Sequence, residues 1–275
     1  MRIPDDIHAV LSDPRTVING SRVQVPFELD SALYERMNTV LKDIGGRWDG
    51  RKAVRAHVFP FPVQEFMRAC LAAKEWPSRF EQGWYPTPPR VVFDILEHAS
   101  IRVGHTVLDP SAGAGSLAKP AAEQMGLVDC VEIDPRRAHV LRELGVARRV
   151  IEGDFLSLDP MAIEDPYDRV LMNPPFADAI AHVMHALGFM ADGGTLVAVM
   201  PESITWHTDR ATVAFRKLIA DAEGELIPLP ADAFAPAGTN VRTVLLRLDG
   251  GPGSALPTHG WHQRQPLQLD LFAQA

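Results

Sequence analysis

Cysteine is nearly absent: Cys70 and Cys130 are the only two in 275 residues, and no metal-like spacing joins them. That excludes a disulfide framework and a cysteine-built metal centre, and predicts two buried thiols in a reducing compartment. No apolar run approaches the roughly 20 residues of a membrane-spanning helix. The opening MRIPDDIHAV also has no apolar signal stretch, so a cytoplasmic location is expected. An excess of positive charge is missing too. The formal net charge is −8, with residues 1–84 close to +1 and the remainder close to −9. An acidic chain gains little non-specific attraction to polyphosphates. A nucleic-acid partner must be met locally or delivered by another protein.

What the chain does have is ordered patterning. Leu33, Met37, Val40, Leu41 and Ile44 form one helical stripe over 31–44, closed by Gly45-Gly46. Asp49-Gly50 reads as a tight turn before an extended segment, RKAVRAHVF. Val63, Phe66, Met67, Cys70 and Leu71 form a second stripe over 63–74. Together these predict a small α+β domain over residues 1–80. From Val91 the pattern becomes apolar runs at 106–109, 128–133, 148–152, 168–172, 194–200, 225–229 and 243–248, with helical stretches at 135–144, 177–190 and 208–223. That alternation predicts an α/β, Rossmann-like domain over 81–249 with a mainly parallel sheet of seven strands. Residues 250–275 are rich in Gly, Pro and Gln and read as a flexible tail.

Ligands of such sheets bind beyond the carboxyl ends of the strands, so the residues at those ends matter most. VLDPSAGAGSLA, 107–118, places Gly113, Gly115 and Ala118 where backbone approaches a ligand. Asp109 at the strand end repels a pyrophosphate but attracts an ammonium or sulfonium centre. Pro120 delays or kinks the next helix, making it a poor phosphate cradle. Glu132, 19 positions after Gly113, stands where a carboxylate accepts both hydroxyls of a ribose. Asp134 before Pro135 suits a helix N-cap better. Asp154 can accept an adenine amino group, and Phe155 can cover the ring. Each acid alone suits capping or solvation; three at successive strand ends around one crevice make a cofactor site.

The fourth strand ends in Asn173-Pro174-Pro175-Phe176. Prolines donate no hydrogen bonds and bias the preceding residue toward an extended backbone. The turn is therefore a rigid cluster of acceptors, the Asn173 side-chain oxygen and the Pro174 carbonyl. An exocyclic amine offers two N–H donors to such a cluster. Giving up both hydrogens pulls its nitrogen toward tetrahedral geometry and frees the lone pair. Phe176 offers a stacking face for the ring, worth about 1–3 kcal/mol per base.

On these residues, the stretch 85–248 resembles the S-adenosylmethionine-dependent amino-methyltransferases, specifically the adenine-N6 DNA enzymes. The resemblance implies a seven-stranded methyltransferase sheet and S-adenosylmethionine as cofactor. It implies that Thr87 in YPTPP touches the cofactor's methionine part, and that Asp109, Ser111, Gly113 and Gly115 form the cofactor loop. Glu132 and Ile133 would hold the ribose side, and Asp154 with Phe155 the adenine. Asn173, Pro174, Pro175 and Phe176 would be the catalytic tetrapeptide, and Phe234, within the late hairpin region 228–247, would help hold a flipped base. Related tetrapeptides occur in RNA and protein-glutamine methyltransferases; YPTPP points to DNA, and Asn173 rather than Ser points to adenine.

The enzymes it resembles carry a separate target-recognition domain, and too few residues remain here for one. DNA contact is therefore assigned to the N-terminal domain, through Arg47, Arg51, Lys52 and Arg55. The tail's Gln268, Leu269, Asp270, Leu271 and Phe272 resemble the pentapeptide that docks on the bacterial sliding clamp, a flexible segment with apolar anchors. Tethering of that kind raises local concentration without a basic surface. The expected function is methylation of adenine N6 in DNA, with no metal and with a separate restriction enzyme as a candidate partner. The alternatives are an RNA adenine methyltransferase and a catalytically silent binding module.

Overall fold

Two sheets organise the chain in the computed structural model, which describes residues 2–59, 63–75, 85–162, 165–251 and 256. The clamp-like pentapeptide and the boundary between residues 80 and 81 lie outside the described residues.

The first sheet has four three-residue strands, β1 (Val17–Asn19), β2 (Arg22–Gln24), β3 (Arg47–Asp49) and β4 (Ala56–Val58), in the order β1-β2-β4-β3. Three helices accompany it: α1 (Asp5–Ser12), α2 (Ser31–Asp43) and α3 (Val63–Ala73). Asp30 caps α2 by accepting the Leu33 N–H at 2.9 Å. The expected extended segment over 51–59 is shorter than its sequence suggests. Asp49 Oδ1 accepts the Arg51 N–H at 3.0 Å, and Val54 and Arg55 both donate to the Arg51 carbonyl. That aspartate-initiated turn absorbs 51–55 before β4 begins.

The second sheet runs β10-β11-β9-β8-β5-β6-β7. Its strands are β5 (Thr106–Asp109), β6 (Leu127–Glu132), β7 (Arg149–Glu152), β8 (Tyr167–Met172), β9 (Met190–Pro201), β10 (Glu225–Pro228) and β11 (Thr243–Asp249). β5 to β9 are mutually parallel, and β11 pairs antiparallel with both β9 and β10. Helices α4 (Pro89–Ala99), α5 (Ala118–Glu123), α6 (Pro135–Leu144), α7 (Ala179–Leu187) and α8 (Arg210–Asp221) accompany these strands. All seven strands fall on the expected apolar runs. The runs are recognisable because sheet buried on both faces needs continuous apolar sequence. β5 and β8 are neighbours although separated in sequence, so the strand order reverses beside β5 and opens a crevice at the strand ends.

The two units share one core. Phe66, Met67, Cys70, Met37 and Leu41 of the N-terminal unit cluster with Ala114 of the glycine loop and Val140 of α6. The N-terminal unit therefore buttresses the loop after β5. Within that loop Gly113 (φ +56°) and Gly115 (φ +86°) are left-handed, and a Cβ on Gly115 would stand 2.9 Å from Leu144 Cδ1. α5 is only six residues long and starts late, with Pro120 inside it. Among the described residues no helix is long and apolar enough to cross a membrane.

Candidate active site

The crevice at the tips of β5, β6, β7 and β8 is a cleft of about 710 Å³, lined by Glu132, Ile133, Asp154, Phe155 and all of Asn173 to Phe176. A narrow side cavity of about 20 Å³, lined by Thr87, Asp109, Ser111 and Gly113, shares Tyr85, Ser111 and Asn173 with it. The tetrapeptide and the glycine loop thus face common space.

Asn173 is oriented by its neighbours. Its Nδ2 donates to the Tyr85 carbonyl at 2.9 Å and to Thr87 Oγ1 at 3.1 Å. Both amide hydrogens are spent on the YPTPP segment, which fixes the flip of the amide and leaves Oδ1 as the free end. Six buried side-chain polar atoms lack a hydrogen-bond partner among the described residues. Three of them, Asn173 Oδ1, Asp109 Oδ2 and Ser111 Oγ, belong to residues lining the narrow cavity. Unpaired buried acceptors are costly, about 1–3 kcal/mol each, so their convergence marks a place built for a donor-rich ligand.

Asp109 is 1% exposed, and among the described residues the only hydrogen bond to its carboxylate is a long one of 3.4 Å from the Ser111 N–H. Burial, with a smaller contribution from the nearby Glu132 charge, pushes its pKa up to about 8. Glu132 is differently placed. Its Oε1 accepts from the Asp134 N–H at 2.8 Å and from Arg137 Nε and Nη2 at 2.9 and 2.7 Å, while Oε2 accepts the Gly113 N–H at 2.7 Å. The expectation that Glu132 takes both ribose hydroxyls is corrected here: three donors fill Oε1, and only Oε2 keeps spare capacity. Arg137 is itself 2% exposed and also lies 3.7 Å from Asp134. Asp134 caps α6 through the Arg136 N–H. Burial pushes its carboxyl upward, but the Arg136 and Arg137 guanidiniums outweigh that and hold it at about 2. Arg137→Met is expected to destabilise the fold by about 3–5 kcal/mol, because it strips a buried carboxylate of its counter-charge. Denaturant unfolding measures this.

Around the adenine end, Ile133 is 60% exposed and Leu156 37% exposed, both on the cleft wall. They supply apolar faces for a flat ring. Phe155, expected to cover that ring, lines the cleft but is 3% exposed, its ring packed against His185 and Phe189. Asp154 keeps one oxygen on the Leu156 N–H at 3.0 Å. Phe234 is also corrected: it is fully buried, edge-on to Phe176 at 5.8 Å, and so supports the Phe176 ring rather than touching a base. Phe176 lies nearly parallel to Tyr85, 17° apart with centroids at 6.0 Å. Arg47, Arg51, Lys52 and Arg55 are all exposed, but Arg51 is paired with Asp49. Tyr85, Arg137 and His182, which also lines the cleft, were not singled out from sequence. Tyr85 had a signal, its place at the head of YPTPP. Arg137 looked like an ordinary helix-surface cation.

The seven-stranded sheet is the fold of the S-adenosylmethionine-dependent methyltransferases, and S-adenosylmethionine is the cofactor that goes with it. The residues fit it: Asp109 and Ser111 offer acceptors to the methionine ammonium, Glu132 Oε2 a ribose hydroxyl, and Ile133, Leu156 and Asp154 the adenine. More narrowly, residues 90–220 match the family described as Methyltransferase small domain. A probable ribosomal RNA small subunit methyltransferase A of Methanosphaera stadtmanae is 29% identical over 83 residues, 30% of this chain and 31% of its own. A tRNA (guanine(6)-N2)-methyltransferase of Thermus thermophilus is 29% identical over 133 residues, 46% of this chain and 40% of its own. The chain therefore spans well under half the length of these curated relatives. Among solved structures, the M protein of the type I restriction enzyme EcoKI superposes with a TM-score of 0.52 at 18% identity, covering 83% of this chain and 55% of that one. At that identity the likeness is one of fold.

Proposed function

We propose that this chain methylates the exocyclic N6 of adenine in DNA. The observation that carries the reading is the Asn173 amide, held by Tyr85 and Thr87 with its buried Oδ1 unpartnered in the cavity that Asp109 lines. Bound S-adenosylmethionine supplies an electrophilic methyl group on a sulfonium. Asn173 Oδ1 accepts one amine hydrogen. The Pro174 carbonyl, which receives no backbone hydrogen bond among the described residues while Pro175's is taken by the Asp178 N–H, accepts the other. Phe176 stacks the ring, and Thr87 ties the amine's acceptor to the wall of the cofactor cavity. No strong general base is needed, since the methylated nitrogen sheds its proton to solvent after transfer.

DNA is favoured by YPTPP, whose last proline opens α4, and by the restriction-enzyme M protein among the fold neighbours. Arg47, Lys52 and Arg55 are the proposed DNA contacts and a separate restriction subunit the proposed partner. RNA is the second reading, favoured by the two curated relatives, which are named for rRNA and tRNA. Incubating the protein with tritiated cofactor and either duplex DNA or structured RNA separates them. Label recovered as N6-methyladenine from DNA is expected; label confined to RNA, or to guanine, overturns the DNA-adenine assignment.

A further inference from the structure

Behind the ledge formed by Asn173 to Phe176 lies a second cavity of about 340 Å³. It shares Phe176, Ala177 and Asp178 with the cofactor cleft, so three residues form the partition between them. Its other walls are the first turns of α7 and α8 and the segment Pro201–Ile204. No lysine or arginine lines it, whereas Asp178 and Asp209 do. Such a lining rejects a phosphate and welcomes a neutral group carrying N–H donors. Asp209 already caps α8 through the Thr212 N–H at 2.9 Å. The Asp178 carboxylate makes no side-chain hydrogen bond or ion pair among the described residues and is the available acceptor.

Trp206, which follows the lining residue Ile204 by two positions and whose ring meets that of the lining residue His207, is 63% exposed. An indole is an expensive group to leave in water, and this one is held there rigidly. Arg216 Nη1 donates to the Ile204 carbonyl at 2.8 Å and to the His207 carbonyl at 2.7 Å, pinning the chain on both sides of the tryptophan. The His207 ring meets the indole edge-on, 4.4 Å between centroids.

We propose that this cavity seats the nucleotide next to the target, with its base stacked on Trp206 and an N–H group directed at Asp178. The inference rests on the nucleic-acid reading above and extends it: the ledge takes one base, and the site beyond the partition takes its neighbour. The phosphodiester stays outside the acidic pocket. The enzyme thereby reads a base flanking the target from within the methyltransferase fold itself.

The test compares wild type, Trp206→Ala, Trp206→Phe and Ala211→Trp, the last filling the cavity from α8. Loss of one stacked base, about 1–3 kcal/mol, corresponds to roughly a 5- to 150-fold weaker oligonucleotide. Trp206→Ala and Ala211→Trp are expected to raise the KM for a methylatable oligonucleotide, and the Kd of a fluorescein-labelled one, at least fivefold. Trp206→Phe should recover most of the loss, and cofactor affinity should stay within twofold throughout. Unchanged oligonucleotide KM and Kd in both Trp206→Ala and Ala211→Trp overturn the proposal. Absence of any oligonucleotide binding by wild type does so as well. Trp206-dependent binding without methyl transfer to nucleic acid supports this pocket and sinks the methylation reading, so the two failures are distinct. Transfer to a protein carboxamide, with nucleic acid neither bound nor labelled, removes both.

Discussion

Asn173→Ala is expected to lower kcat by about 10²–10³-fold, the size seen when one preorganised hydrogen-bond partner is removed from a reacting centre. In the proposed function Asn173 Oδ1 is the acceptor that meets the amine, and it is preorganised because Nδ2 is committed to Tyr85 and Thr87 before any substrate arrives. Removing the amide has a second effect. Thr87, 4% exposed, loses its partner beside the methionine end of the cofactor cavity. Cofactor affinity should therefore weaken, but only a few-fold, because one neutral hydrogen bond contributes about 0.5–1.5 kcal/mol. The two roles separate experimentally. Rapid-mixing measurement of a single turnover at saturating cofactor reads the first, and a titration with S-adenosylhomocysteine reads the second. Asn173→Asp keeps an acceptor oxygen and can still take a hydrogen bond from the Thr87 hydroxyl, but turns the contact with the Tyr85 carbonyl into a repulsion, and should retain more turnover than alanine with weaker cofactor binding. If alanine leaves single-turnover rates near wild type at saturating cofactor, Asn173 is only a strut for the Thr87 segment.

Why the strand tips were legible and their surroundings were not follows from the range of the interactions. β5 to β11 announce themselves because each apolar run is a local property, and the residue that closes a run is where the crevice must be. Asp109, Glu132, Asp154 and Asn173 could be picked out on that basis. The partners that give them their chemistry are distant or disguised. Tyr85 and Thr87 reach Asn173 across more than eighty residues. Arg137 lies five residues from Glu132, beside another arginine, Arg136, that stays partly exposed, so nothing local says which of the two is buried. Phe234 and Phe155 were read as ring-facing because aromatics near a site invite that reading. Core packing claimed Phe234 entirely and buries nearly all of Phe155, which still lines the cleft, since a buried phenyl stabilises by about 1.5–3 kcal/mol. The N-terminal unit was read as a companion domain. Its core is continuous with Ala114 and Val140, two small apolar residues whose sequence setting is unremarkable. That continuity places the exposed Arg47, Lys52 and Arg55 on a unit that also braces the cofactor loop.

Asp109 yields the most pH-sensitive behaviour. With its pKa raised by burial to about 8, it holds a proton at neutral pH until a cation arrives. Binding an ammonium or sulfonium beside it requires the carboxylate, so below pH 8 ligand binding must release that proton. Affinity for S-adenosylhomocysteine, which keeps the methionine ammonium, should rise with pH by up to about tenfold per unit and level off above about 8. Calorimetry in buffers of different ionisation enthalpy should find close to one proton released at pH 6–7. Asp109→Asn should lose the pH dependence and bind roughly 150- to 5,000-fold more weakly, the roughly 3–5 kcal/mol cost of leaving a buried cation unpaired. The same group acts on stability with the opposite sign. Between the ordinary carboxylate value of 3.8 and about 8, the folded state keeps a proton that the unfolded chain has shed. Folded stability therefore declines as pH rises through that window, and Asp109→Asn should flatten the decline, melting higher than wild type at pH 8 relative to pH 5. A ligand affinity that does not change between pH 6 and pH 8 in the wild type would mean that the cofactor's charge never meets Asp109. The unpartnered atoms of the narrow cavity would then serve something other than the methionine end.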